Sequence, residues 1–125
     1  MWQYSDKAIE RALRAWRCSP FRLAFFQEVR RRGVPIGQIY GVGGVHAQYC
    51  QHLLSELQVE TELFWLIQVG ILRREVDGQG ITDSFRLAPL GRYLLEFADR
   101  EGLQQPPSWR DHLGNALCRW GWGSR

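Results

Sequence analysis

Arginine carries most of the chemistry this chain could do. Fifteen of its sixteen basic residues are Arg, and they concentrate in two places. Arg30, Arg31 and Arg32 form a run close to Arg22, with Arg11, Arg14 and Arg17 upstream; Arg73, Arg74 and Arg86 flank a polar, glycine-rich stretch. A guanidinium suits bidentate contact with phosphate or carboxylate, so either patch could hold a nucleic-acid backbone or an acidic protein. The bland alternative for Arg30 to Arg32 is a solvated helix end favoured by the macrodipole. Between the patches, Val34 to Leu72 has no Lys or Arg and three acids, Glu56, Glu60 and Glu62. Ser55, Gln58 and Gln68 in that segment could touch bases or phosphates, as could Gln48 and Tyr49. The neighbouring glutamates would oppose a polyanion, because phosphate neutralisation supplies most nucleic-acid affinity.

Other chemistries find less support. Gly41-Val42-Gly43-Gly44-Val45-His46 is glycine-rich, but it has neither the third glycine of a dinucleotide fingerprint nor the Gly-Lys-Ser/Thr of a nucleotide loop. It reads as a hinge or helix breaker. His46 and Cys50 are four apart with His52 nearby, and no further Cys/His cluster completes a tetrahedral site, so no metal is expected. His112 is isolated, and no nucleophile has an adjacent base and orienting group. The expectation is no catalytic residue, no cofactor and no enzymatic activity. Cys18, Cys50 and Cys118 are odd in number and far apart, which fits reduced thiols.

Several elements must position these residues. Ser5 can cap a first helix, with Ile9, Ala12, Leu13 and Trp16 as its apolar stripe. Ser19-Pro20 reads as a cap and first-turn proline for a second helix, whose buried face is Phe21, Ala24, Phe25 and Val29 and whose stop is Gly33. Val34 to Ile36 is short and extended. Gly37 to Tyr40 should make one helical turn, followed by a flexible joint at the glycines. Val45 to Leu57 is helical by composition, and Ser55 with Gln58 could form a capping box, so Val45 to Val69 is either one bent helix or two. Leu63, Leu66 and Ile67 are at helical spacing before Gly70, where the helix ends. Ile71 to Val76 and Phe85 to Ala88 are strand-like and pair as a hairpin across a seven-residue loop, Asp77 to Asp83. Pro89 opens another helix, with Tyr93, Leu94, Phe97 and Ala98 as its stripe up to Gly102. After Gln104 to Pro107, Ser108 caps a last helix in which Trp109, Leu113, Ala116, Leu117 and Trp120 recur.

Helix, glycine, strand, loop, strand, helix resembles the second half of a winged helix-turn-helix domain. The likeness rests on Trp65-Leu66-Ile67-Gln68-Val69-Gly70-Ile71-Leu72-Arg73-Arg74 and Phe85-Arg86-Leu87-Ala88-Pro89-Leu90-Gly91-Arg92. The string Leu66 to Leu87 is also similar to an uncharacterised family of small winged-helix proteins in cyanobacteria, a resemblance that implies a fold and no function. The superfamily likeness implies that Ser55 to Gln68 ends in a recognition helix and that Asp77 to Asp83 is the wing. A wing entering a minor groove usually offers Arg or Lys, whereas this one has Gln79 and Thr82 between two aspartates.

At 125 residues, 45% hydrophobic and 23% charged, the chain is ordinary for one soluble domain with a single modest core. Met1 to Arg11 carries Asp6, Lys7, Glu10 and Arg11, unlike a secretory signal, and no apolar run approaches a bilayer span. A cytoplasmic protein without a membrane is expected. The expected fold class is α+β, mostly helical: a winged helix-turn-helix with a two-stranded wing hairpin and extra N- and C-terminal amphipathic helices. Its parts would be an N-terminal helix at 1–18, the winged-helix domain at 19–103, and a linker with a C-terminal helix at 104–125. The stripes with Trp16, Trp109, Leu113, Leu117 and Trp120 read as apolar packing that either closes over the domain itself or pairs with a second chain, and since six Trp exceed what one small core needs, a homodimer interface is also expected. Two functions follow. The first is a transcriptional regulator binding double-stranded DNA through Ser55, Gln58, Gln68, Arg73, Arg74, Arg86 and Arg30 to Arg32. The second is an adaptor that keeps the fold and binds an unidentified protein.

Overall fold

In the computed structural model, the described backbone covers residues 4–97 and 109–119, and the described side chains are those of 4–96 with Asp111, Leu113, Asn115, Ala116 and Arg119. The architecture is α+β and mostly helical, with a winged-helix-like layout. Helix α1 (Asp6–Cys18) and helix α2 (Leu23–Arg31) are followed by the short strand β1 (Val34–Pro35) and a 3-10 turn (Ile36–Gln38). Helices α3 (Gly41–His46) and α4 (Glu56–Gln68) lead into the hairpin β2 (Leu72–Asp77) and β3 (Gly80–Leu87), and then α5 (Pro89–Phe97) and α6 (Trp109–Arg119). The strands form one antiparallel sheet in the order β1-β3-β2.

Local sequence explains most of the boundaries. Ser5 caps α1 by accepting from the Ala8 N–H at 3.1 Å. Ser55 and Gln58 make a complete capping box at the start of α4, with bonds of 3.2 and 2.9 Å. Gly70 stops α4 with φ +90°, a conformation that favours glycine, while its N–H reaches the Ile67 carbonyl. Pro89 is the first residue of α5. One core joins α1, α2, α4 and α5 to the sheet. Ala12, Ala15 and Trp16 of α1 meet Phe25, Phe26 and Val29 of α2, Val59, Leu63 and Leu66 of α4, and Phe85 and Leu87 of β3. Each fully buried large side chain contributes roughly 1.5–3 kcal/mol. Trp16 stacks on Phe26 with ring centroids 3.8 Å apart.

Four expectations need correction. Ser19 does not cap α2; its hydroxyl donates back to the Trp16 carbonyl at 2.8 Å and closes α1. The reason is that Pro20 to Arg22 pair with Tyr49 to Gln51, through Arg22 N–H to Tyr49 O and Gln51 N–H to Pro20 O, so α2 starts only at Leu23. The glycine run is not a joint. It is helix α3, which opens at Gly41 with φ +74°. Gly44 lies so close to the Ile39 carbonyl that an added Cβ would stand 1.7 Å from its oxygen. Helix does not extend through Val45 to Leu57: it ends at His46, Gln48 turns with φ +66°, and α4 begins separately after Ser55. Finally, the seven-residue loop is a two-residue turn, Gly78-Gln79, because the strands continue to Asp77 and from Gly80. The Asp77 carboxylate accepts from the Gln79 N–H at 2.7 Å, and Thr82 Oγ1 donates to the Glu75 carbonyl at 2.9 Å, which fastens the tip around a register shift between Arg74 and Val76. The stripe beyond Phe97 and the Gln104 to Pro107 linker lie outside the described residues.

Candidate functional site

Helix α4 carries apolar residues on more than one side, and the core and α6 cover only part of them. Val59, Leu63 and Leu66, at spacings of four and three, face the core, and Trp65 is held from the other flank by α6. The Trp65 Nε1–H donates to Asn115 Oδ1 at 2.8 Å, and the Arg119 guanidinium lies over the indole at 5.8 Å. Arg119 also binds Glu62 at 3.4 Å, so one of the three acids of this segment is neutralised within the fold. Leu57 and Phe64 are left on the outside at 72% and 55% exposure, with Leu53 at 62% just ahead of the helix. Glu56, Glu60, Thr61 and Gln68 share that outer side.

The outer side is creased, not flat. A groove of about 360 Å³ runs between Leu57, Glu60, Phe64 and Gln68 on α4 and Arg74 and Arg119 beside it. A second groove, about 650 Å³, lies across the helix among Arg17, Cys18, Gln51, His52 and Gln58. Leu57 and Thr61 border both, so the N-terminal half of α4 is a ridge with an apolar crest.

The arginines expected to grip a nucleic-acid backbone are not arrayed around this ridge. Arg30 pairs with Glu96 of α5 at 2.6 Å. Arg31 and Arg32 both converge on Glu28, whose carboxyl is held below its ordinary range by the hydrogen bonds from Arg32 and then Arg31. Arg32 also donates to Gln38 and to the Tyr49 hydroxyl. Arg86 bonds Glu75 and the Arg31 carbonyl, both at 3.3 Å, beside α2. Arg73 pairs in register with Arg86, and Arg74 with Phe85, so Arg73 and Arg74 point to opposite faces of the sheet. Arg74 alone joins the α4 groove, with its guanidinium 5.0 Å from the centre of the Phe85 ring. The structure therefore brings Gln68 and Arg74 together, leaves Ser55 and Gln58 as cap residues at the far end of the helix, and places Arg30 to Arg32 and Arg86 in a separate cluster.

Trp16, expected at an interface, is inside the chain's own core at 4% exposure because it fills the gap between α1 and α2. Leu113 is exposed on α6, which packs along α1, while Trp120 and the side chains of Trp109 and Leu117 lie outside the described residues. Leu57 and Phe64 were not singled out by sequence reasoning. The signal existed: both are large apolar residues lying off the Val59, Leu63, Leu66 stripe.

Neither described thiol is poised for chemistry. Burial, then the Asp111 carboxylate, pushes Cys18 up to about 11. Cys50 is raised to about 11 by burial, and its thiol donates to the Ile39 carbonyl at 3.2 Å. Among the described residues, no three His, Cys, Asp or Glu side chains gather into a potential metal site, and no helix is long and apolar enough to cross a membrane.

Comparison with curated proteins and with solved structures returns no match. The profile of the Npun_F0494-like family matches residues 2–119. That match leaves only Met1 and the last six residues outside it, and so the chain belongs to the Npun_F0494-like family.

Proposed function

We propose that this chain is a non-enzymatic protein-interaction module, working in the cytoplasm, that has kept a winged helix-turn-helix fold and uses the outer side of α4 to bind protein. One observation carries the reading. Where a DNA-reading helix would offer cations, α4 offers Leu57 and Phe64 flanked by Glu56 and Glu60. A duplex brought to this side would meet two carboxylates and two desolvation-prone apolar side chains beside Arg74. Large exposed apolar residues beside a groove are what protein interfaces are built around. Burial raises the Cys18 and Cys50 thiols, so neither of these two is a ready nucleophile.

The second reading, a DNA-binding transcriptional regulator, keeps two observations on its side: the winged-helix-like order of elements, and Gln68 and Arg74 sharing one groove. Fluorescence anisotropy of a labelled random duplex, titrated with the protein at low salt and again as salt is raised, separates the two. The interaction reading expects no salt-sensitive binding. Binding that weakens steeply with salt would overturn it in favour of the regulator.

A further inference from the structure

We propose that the open edge of β2 takes an extended segment of another protein as an added strand, carrying an acid opposite Arg74 and a β-branched apolar residue opposite Val76. This rests on the interaction reading above and specifies the partner's conformation and side chains.

The two edges of the sheet differ. β1 has two residues and ends in Pro35, which has no N–H to offer, so that edge is blunted. β2 has six residues without proline and stands at the other edge of the order β1-β3-β2. Between the Arg74–Phe85 and Val76–Ile81 pairs, β3 has Thr82 to Ser84 against the single Glu75 of β2, so the irregularity lies in β3 and β2 runs straight.

Two hydrogen bonds fix which way β2 faces. Ala88 N–H donates to the Ile71 carbonyl at 2.8 Å, and Thr82 Oγ1 donates to the Glu75 carbonyl at 2.9 Å, so both carbonyls point toward β3 and its continuation. Successive residues of a strand turn their backbone groups to opposite sides, and those of Arg74 and Val76 therefore point outward. Neither has a backbone partner on that side among the described residues. Leu72 shares the orientation but is buried, so the usable edge starts at Arg74. An added strand would make up to about four backbone hydrogen bonds, two with each of these residues.

The side chains then name the occupant. Arg74 has no ion-pair partner among the described residues, lies over the Phe85 ring, and borders the α4 groove with Phe64 and Gln68. Val76 shares its face by alternation and is 63% exposed. Opposite charges and packed β-branched residues are the cross-strand pairs that stabilise a sheet. An antiparallel partner therefore reads apolar, any residue, acid. A second copy of this chain answers poorly, because pairing along this edge sets Arg74 against Arg74 or against Val76, and no acid meets it.

Amide hydrogen exchange of the full chain, followed by NMR, tests the proposal with the capped peptide Thr-Val-Thr-Glu-Thr as probe. In the free chain, the N–H groups of Arg74 and Val76 should exchange at least about 10-fold faster than that of Arg73, which is turned to β3. Excess peptide should slow both by about 10-fold or more. The same peptide N-methylated at its Val and Glu should protect neither, since it keeps the side chains and loses the backbone donors. Val76→Pro removes an N–H that β3 does not use, so the hairpin should persist, as circular dichroism would check, while peptide binding is lost. Arg74→Glu should weaken the peptide about 3- to 10-fold and strengthen its Lys counterpart by a similar factor. Slow exchange at Arg74 and Val76 in the free chain overturns the proposal. So does a parent peptide that gives no protection, an N-methylated one that protects equally, or a Val76→Pro chain that still binds. A free chain that sediments as a dimer, and as a monomer after Val76→Pro, overturns it in favour of a second copy. All these outcomes leave the interaction reading standing on Leu57 and Phe64. That reading fails separately, by salt-sensitive binding in the duplex titration.

Discussion

Gly44 is where one atom decides the local fold. Its Cα faces the Ile39 carbonyl, and a methyl group there would occupy the oxygen's position, with backbone as the obstacle. Gly44→Ala should therefore cost about 2–4 kcal/mol, seen as a lower urea midpoint, by forcing α3 away from the 3-10 turn. A change below about 0.5 kcal/mol would mean that the close approach is not maintained in solution. Glu28 offers a second residue-level test. Hydrogen bonds from Arg32 and Arg31 depress its carboxyl below the ordinary value of 4.5. A depressed acid contributes stability that is complete above its unfolded value and is lost as pH falls through the folded one. Glu28→Gln should flatten the decline in stability below pH 4.5 while the wild-type chain keeps it, as measured by denaturant midpoints across that range.

The elements are set by a mixture of local and distant causes. The capping box on α4 is local: Ser55→Ala removes the acceptor for the Gln58 N–H and should cost about 1 kcal/mol by chemical denaturation. The start of α2 is distant, because it depends on Pro20 to Arg22 pairing with Tyr49 to Gln51, nearly thirty residues along the chain. Sequence reading found Ser55, Gly70 and Pro89, where cap chemistry is carried by the residue itself. It missed the α2 start because Ser19-Pro20 has the composition of a cap while its hydroxyl is taken by Trp16 O. The hairpin was legible as a pair of strands. Its two-residue turn was not, since the polar stretch Thr82 to Ser84 in β3 has no apolar alternation to mark it as strand.

Across the whole molecule, α1 is part of the core and not an appendage. Trp16 lies against Phe26, and Ala12 and Ala15 are enclosed with it. Trp16→Ala should cost about 3–5 kcal/mol in thermal or chemical unfolding, in one cooperative transition. An α1 that docked independently would instead give two transitions, with the second unchanged by the mutation. The arrangement of charge is also a property of the whole molecule. Arg30, Arg31, Arg32 and Arg86 come from two separate stretches and find Glu96, Glu28 and Glu75, so the basic runs end as internal ion pairs. Such half-exposed pairs add little stability, but they occupy the donors a phosphate would need.

By itself, the sequence determined the fold class, the stop at Gly70, the caps at Ser5 and Ser55, and the absence of Lys and Arg from Val34 to Leu72. Each of these depends on residue type and near neighbours, and periodicity carries that information. Only the tertiary structure decided that the glycine run is a helix, that Trp16 faces inward, that Arg73 and Arg74 part to opposite faces, and that Leu57 and Phe64 stay outside. These outcomes depend on which distant segment arrives to cover a side chain. A helix whose apolar residues are not gathered on one side, as in α4, does not announce which of them will be left bare.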